Sequence, residues 1–377
     1  MKRYAKVIQE EYDAKVEYEI TPYNDLGPTL ARKVLARNAP DVAQLRSSAS
    51  EFPIFCAKGI LQSIDGKINL NTPMWSGIKA INDAYKFKGK YYVIRTSVQA
   101  ETFIWYNKNV LRDVGGISVM PDKLYTQGKW TWDKLIEYAK ACINTKSTPP
   151  TYGMATDYGY LKAHILGSAA VDFVNLKNDG TLELNLNSSR LAQALTLYRD
   201  VYNKNNIMAP VSMAPAGEEI KLFNNNQLAF MIQGPTAGDP KMHKAGTIGF
   251  VPSPRWEGEQ PVYALTTTMF GVPKGSKNIT GAIAFINAVR YDTVNADNVK
   301  NTNEYLKNTY GVSDAEIGFM DDVKKSAFFF TDIGGDSPSW FWKPFNGLMG
   351  GKSWSTMKAQ YEPKWKKCVN DYNAQIR

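Results

Sequence analysis

The chain has 377 residues, beyond the size at which one hydrophobic core keeps growing, so two domains are expected. Hydrophobic residues make up 44% and aromatic residues 12%, enough apolar surface to offset the entropy of ordering the backbone, which excludes an intrinsically disordered chain. The formal charge is +9, but the Lys and Arg residues are scattered singly or in pairs such as Lys324-Lys325 and Lys366-Lys367, which describes a solvated basic surface and not a nucleic-acid interface.

Three cysteines, Cys56, Cys142 and Cys368, match no metal spacing and read as buried free thiols. Only two histidines, His164 and His243, are present and they lie far apart, so neither a zinc site nor a histidine-based catalytic centre is expected. No cofactor and no metal ligand set are indicated. No apolar stretch approaches the roughly 20 residues that span a bilayer.

In chain order, Tyr4–Glu11 has the spacing of an amphipathic helix and not of a signal peptide. Lys15–Ile20 alternates like a strand, Leu30–Arg37 reads as a helix closed by Asn38-Ala39-Pro40, and Asp41–Leu45 as a buried strand. Such a strand–helix–strand series predicts a mostly parallel sheet covered on both faces, with ligands bound beyond the carboxyl ends of the strands. The polar run Arg46-Ser47-Ser48-Ala49-Ser50-Glu51 lies at such an end, and Arg46, Ser47, Ser48 and Glu51 carry donors and acceptors suited to hydroxyl groups. A serine-rich turn capping the next helix explains the same residues.

Phe87–Ile94 looks like a hairpin turning at Gly89, leading into the apolar run Ser97–Lys108. Thr131 stands where a helix N-cap would, followed by apolar residues at helical spacing, so Trp132 is expected to pack. Tyr152–Tyr160 opens another strand-to-helix connection, in which Asp157 and Tyr158 offer a carboxylate and a ring face. Leu191–Tyr198 is an amphipathic helix, and Glu218–Gln227 precedes an apolar strand ending at Gly234-Pro235. Phe250–Gly258, containing Trp256, then leads through Tyr263 and Thr266-Thr267-Thr268 into Phe270–Lys274. Near the C-terminus, Trp340-Phe341-Trp342 are consecutive and point in different directions, so at least one must lie at a surface in a loop rich in Gly, Ser and Pro. Helices from Ser355 to Arg377 close the chain, with Trp354 and Trp365 packing.

Three patches, Trp105-Tyr106-Asn107-Lys108, Thr131-Trp132-Asp133-Lys134-Leu135 and Leu228–Pro235, occur in an order and at distances that resemble the extracellular solute-binding proteins of ATP-driven importers, in the carbohydrate branch that includes maltose-binding protein. The resemblance implies an α/β, two-lobed periplasmic-binding type II fold with the ligand cleft between the lobes. It places residues 1–105 plus 262–298 in one lobe and 106–261 plus 299–377 in the other. It implies a monomer outside the cytoplasm, periplasmic or a cell-surface lipoprotein, that binds a carbohydrate, oligosaccharide above all, and closes around it to present it to an ABC permease. The serine loop with Arg46, Ser47, Ser48 and Glu51, then Asp157, Tyr158, Thr267 and Thr268, face the sugar on this reading, and Trp340 and Trp342 supply an aromatic platform. Thr236 follows Gly234-Pro235 where the maltose-binding branch has an aromatic residue, and Trp256 is the candidate to replace that stacking surface. An export signal, a lipid-anchoring cysteine and the first strand would be missing, the largest departure from the family.

An enzyme is the rival class. No Gly-x-Ser-x-Gly, phosphate loop, His-Glu-x-x-His or dinucleotide fingerprint occurs, so no catalytic residue is assigned. A glycosidase needs only two carboxylates, about 5 Å or about 6.5–9.5 Å apart, and Asp157 with Glu257 or Glu51 with Asp336 could provide them. A surface polysaccharide adhesin is the third reading.

Overall fold

A computed structural model describes residues 3–22, 25–45, 51–210, 217–331 and 339–376. The strands are β1 (Ala43–Leu45), β2 (Leu61–Gln62), β3 (Val93–Gln99), β4 (Phe103–Asn107), β5 (Tyr152–Ala155), β6 (Val174–Leu176), β7 (Leu182–Leu184), β8 (Leu228–Gln233), β9 (Ile248–Val251), β10 (Tyr263–Ala264), β11 (Thr266–Pro273) and β12 (Ala327–Phe328). Two mixed helix-and-sheet bodies form around them.

The first sheet is built on β11, whose β-branched and aromatic residues suit a pleated, half-buried surface. It pairs antiparallel with β1, with β2 and with β3, the last from Thr266↔Gln99 to Gly271↔Val93 with a bulge between Thr268 and Met269. On one face Phe270 and Val272 pack with Ile94 against Ile286 of the helix Ile279–Val294. The second sheet has the order β5-β8-β4-β9. Its central strands β4 and β8 are buried almost throughout, which is why both read as continuous apolar runs.

The expected mostly parallel arrangement is not what forms. Among the described strands of these two sheets only β5 and β8 pair in parallel. The reason lies in the path of the chain: β3 leaves the first sheet and β4 enters the second after only Ala100-Glu101-Thr102, and β11 returns after β10. The strands β4 and β11 therefore arrive from the other sheet and not by a helical crossover within their own, whereas β8 follows a helix of its own body and is the one that pairs in parallel with β5. Lys15–Ile20 forms no strand either, because no sheet edge meets it and Ile20 is 93% exposed.

The N-terminal helix does form, over Arg3–Tyr12, burying Ala5 and Ile8 and setting Tyr4 edge-on to Phe285. The hairpin turn at Lys88-Gly89 forms as well, both residues taking positive φ. Two of the sequence patches turn out to be structural. Asn107 donates to the Phe223 carbonyl and to Asn226 and accepts from the backbone N–H groups of Asn109 and Val110, stapling the turn before β8 to the end of β4. Thr131 caps the helix Trp132–Ala141 by accepting from the Lys134 N–H, and buried Trp132 donates to Ser168.

Candidate functional site

The two places where the chain passes between sheets lie side by side, because Thr266 pairs with Gln99. Around this junction the helix Tyr158–Ser168 packs so closely on β10 that a Cβ on Gly167 would come within 2.4 Å of Ala264, so only glycine permits the approach. His164 of that helix is buried between Thr102 of the crossing segment, 2.8 Å from Nε2, and Ser253, 2.5 Å from Nδ1. Burial pushes its pKa down to about 3, so the ring stays neutral and both nitrogens serve as hydrogen-bonding posts.

One wall of the junction carries acids and amides. Asp157 caps the helix Tyr158–Ser168, accepting from the Gly159 N–H at 2.7 Å, and its side is exposed. Burial raises the pKa of the half-buried Tyr160 phenol, and the charges of Glu101, Asp157 and Glu219 raise it further. Desolvation also holds the Glu101 carboxyl above its ordinary value. Glu219 accepts from Gln233 at 2.6 Å. Hydroxyl-rich ligands need such acceptors beside an aromatic face.

The first sheet borders the junction through the paired ends of β3 and β11. Thr267 and Met269 share one face of β11 by alternation, and Met269 pairs with Arg95 of β3, so Arg95 and Thr267 point the same way. Asn82 grips the Arg95 backbone on both sides, accepting from its N–H at 2.8 Å and donating to its carbonyl at 3.2 Å. The Arg95 side chain is only 1% exposed. Its guanidinium carbon lies 3.3 Å from the Tyr85 ring centroid and 4.4 Å from that of Phe329, in the corner of an edge-to-face ring pair. Nε and Nη1 have no hydrogen-bond partner, and neither does the buried Thr267 hydroxyl. Burial pulls the guanidinium pKa down, with Tyr85 opposing it. The penalty for burying such an ion is several kcal/mol, whereas stacking on aromatic rings returns about 0.5–2 kcal/mol. The Arg95 charge is under-compensated.

The other sequence-predicted residues are placed as follows. Arg46, Ser47 and Ser48 lie outside the described residues. Glu51 is 1% exposed, with Oε1 2.8 Å from where a Cβ of Gly27 would stand, so it is wedged against the helix Leu26–Leu35. Thr268 neighbours Thr267 on β11 and its N–H donates to Ser97. Trp256 donates to Ser168 at the far end of the helix that Asp157 caps, about 16 Å away for 11 residues, and lies under the Arg190 guanidinium. Asp157 and Trp256 are thus not brought together. The backbones of Tyr158, Trp340 and Trp342 lie in the helices Tyr158–Ser168 and Ser339–Met349, while their side chains are outside the description. Sequence reasoning missed Arg95, although an arginine interrupting the apolar run Val93-Ile94 was the available signal.

Next to Ser253, the partner of His164, a cavity of about 360 Å³ opens between Tyr125, Trp130, Arg255, Tyr263, Phe319 and Asp322, and none of the sequence-predicted ligand residues lines it. Among the described residues no group of three or more His, Cys, Asp and Glu could hold a metal ion. Cys56 and Cys142 are buried free thiols, the latter pushed up to about 12 by desolvation, and Cys368 is half-buried. No helix among the described residues is long and apolar enough to cross a membrane.

Comparison with known proteins gives one family and one fold. The model of the bacterial extracellular solute-binding protein family matches residues 1–290. No curated protein sequence matches. Among solved structures, the sugar-binding protein MalE from Xanthomonas citri is similar with a TM-score of 0.74 and 16% identity, over 98% of this chain and 96% of that one. An ABC substrate-binding protein from Listeria monocytogenes in complex with cycloalternan reaches 0.68 at 17% identity, over 100% and 95% of the two chains. The GacH receptor of Streptomyces glaucescens, solved unliganded and with acarbose, reaches 0.66 at 18%, over 98% and 94%. At these identities the likeness shows the fold, which is the two-lobed α/β architecture of solute-binding proteins.

Proposed function

The chain belongs to the bacterial extracellular solute-binding protein family, and from that premise we propose that it binds an oligosaccharide between two lobes and delivers it to an ABC permease. The lobes are residues 1–105 plus 262–298 and 106–261 plus 299–377. The protein acts as a monomer outside the cytoplasm, anchored as a lipoprotein or free in a periplasm, and performs no chemistry on its ligand.

One observation carries the reading. The chain passes between its two sheets at two adjacent points, and the residues beside them include the exposed Asp157, the half-buried Tyr160 and the unpartnered Thr267 hydroxyl. Two adjacent crossings form a hinge, and a ligand that touches both sides shifts the open–closed equilibrium by its differential affinity for the closed state. The similar proteins described with cycloalternan and acarbose support an oligosaccharide as the ligand class. Proposed contacts are Arg46, Ser47, Ser48, Glu51, Asp157, Tyr158, Trp256, Thr267, Thr268, Trp340 and Trp342.

The test is a thermal-shift screen of mono- and oligosaccharides followed by chromatography of the recovered sugar. A true ligand at about 100 times its Kd adds about 2.7 kcal/mol to unfolding, and it must be recovered intact. Turnover of the sugar would turn the assignment to a glycosidase, and silence across the panel would remove the saccharide.

A further inference from the structure

We propose that Arg95 and Thr267 form a subsite for a carboxylate, so that the ligand is an acidic saccharide containing a uronic or other sugar acid; this rests on the saccharide-binding reading and adds a charge to it. Three observations converge. Arg95 is a cation 99% removed from solvent, with its Nε and Nη1 donors unsatisfied. Among the described residues no ion pair joins it. A second orphan, the Thr267 hydroxyl, lies on the same face of the neighbouring strand, beside the crossing.

A buried polar group without a partner is exceptional in a folded protein and calls for an explanation. Arg290 supplies the control within the same body. It too is a buried arginine without a carboxylate, but its Nε donates to the Met74 carbonyl at 2.8 Å and its Nη1 to the Thr96 carbonyl at 2.9 Å. The fold therefore satisfies one buried guanidinium with backbone carbonyls and leaves the other between the Tyr85 and Phe329 rings with Nε and Nη1 unsatisfied. Asn82 holds the Arg95 backbone from both sides, so the side chain is presented from a fixed strand position.

A carboxylate would accept from both free donors and compensate the charge as well, which a neutral hydroxyl accepting one hydrogen bond does not. Two guanidinium N–H donors plus one hydroxyl match the acceptor capacity of a single carboxylate, and the planar guanidinium matches its geometry. The exposed acid at the junction, Asp157, is repelled by a ligand carboxylate and suits the sugar's hydroxyls, so the carboxylate is directed to Arg95. Access lies past Phe329. This ring covers the guanidinium from the segment after β12, which pairs over only two residues with β10 at the crossing, so opening at the crossing uncovers the cation.

The experiment compares oligogalacturonate, oligoglucuronate and oligomannuronate with their carboxyl-reduced counterparts and with neutral malto- and cello-oligosaccharides, by thermal shift and calorimetry on the wild-type chain. One acidic oligosaccharide is expected to bind at least about tenfold tighter than its reduced form, an advantage that shrinks with salt. Arg95→Met should abolish that preference without lowering the melting temperature of the ligand-free protein, because the replaced ion has no partner to strand. Thr267→Val should weaken the acidic ligand by a smaller factor and leave neutral sugars unaffected. Equal binding of acidic and reduced forms overturns the subsite while leaving saccharide binding intact. A ligand-free Arg95→Met protein that unfolds, together with an Arg95→Lys protein that folds yet shows no preference for acid over reduced sugar, also overturns it, because the cation would then be structural. No response to any saccharide, acidic or neutral, removes the saccharide reading and the subsite with it.

Discussion

The two halves of the molecule bury charge in opposite ways. On the second sheet, Glu316 is buried with both oxygens engaged: it accepts from His243 Nε2, from the Phe250 N–H, and from the N–H and hydroxyl of Ser313, whose capping box it completes. His243 is engaged at its other nitrogen by the Tyr310 carbonyl. On the first sheet, Arg95 has rings for company and two nitrogens with no acceptor. A saturated buried cluster holds a fold together; an unsaturated one is a place where a ligand can complete it.

The sharpest way to break this contrast is to remove each charge in turn. Glu316→Ala strands His243, Ser313 and a strand N–H, so it should cost about 3–5 kcal/mol of ligand-free stability, read by urea unfolding. The saccharide response of whatever remains folded should be unchanged. Arg95→Met is the counterpart with the opposite expectation. If the two variants destabilise the ligand-free protein equally, the two regions are not different in kind.

Acid sharpens the comparison next. Burial alone would raise the Glu316 carboxyl, but His243 and Ser313 hold it below the ordinary glutamate range. A carboxyl depressed in the folded state contributes stability that is present above about pH 4.3 and lost as pH falls through its folded pKa. His164 acts in a higher window. Its folded pKa of about 3 lies below the ordinary value near 6.5, so between those pH values the unfolded chain binds a proton that the folded one refuses. Stability should therefore fall as pH drops from about 6.5, by a total on the order of a few kcal/mol, with Glu316 adding to the decline only below about 4.3. Differential scanning calorimetry across this range checks it. His164→Gln, neutral at every pH, should flatten the upper part and leave the lower part standing.

How much of this was legible beforehand follows the same division. The saturated parts were visible because they repeat local rules: the Thr131 cap is a hydroxyl before a helical period, and β4 and β8 are apolar runs long enough to be central strands. Lys15–Ile20 satisfied the strand rule equally well and forms none, since alternation says nothing about whether a sheet edge is within reach. The antiparallel pairing was hidden for a related reason, being set by where the chain crosses between bodies. Of the candidate site, Asp157 and Thr267 were recognisable as polar residues near strand ends, whereas Arg95 was not. Its face depends on the bulge opposite Thr268 and Met269, and its isolation depends on what other segments fail to bring to it.

The smallest effect expected concerns tryptophan. Trp105 is fully buried, donates to the Gly234 carbonyl and packs on Phe223, Phe250 and His243; Trp365 is equally enclosed by Phe173, Trp354 and Tyr361. Truncating either should cost about 3–5 kcal/mol of stability. Trp340 and Trp342, at the start of the helix Ser339–Met349, are proposed instead to stack on the apolar face of a sugar ring. A stacking residue contributes in the complex and little in the free protein, so Trp340→Ala or Trp342→Ala should weaken saccharide binding by about 1–2 kcal/mol, roughly tenfold, while ligand-free unfolding stays near wild type. Affinity and unfolding must be measured on the same preparations. Normal binding by both variants, or affinity lost only in step with ligand-free stability, would return these tryptophans to the packed class of Trp105 and Trp365. Because the carboxylate subsite contains neither tryptophan, each truncation should weaken acidic and carboxyl-reduced sugars by the same factor, whereas Arg95→Met should separate them.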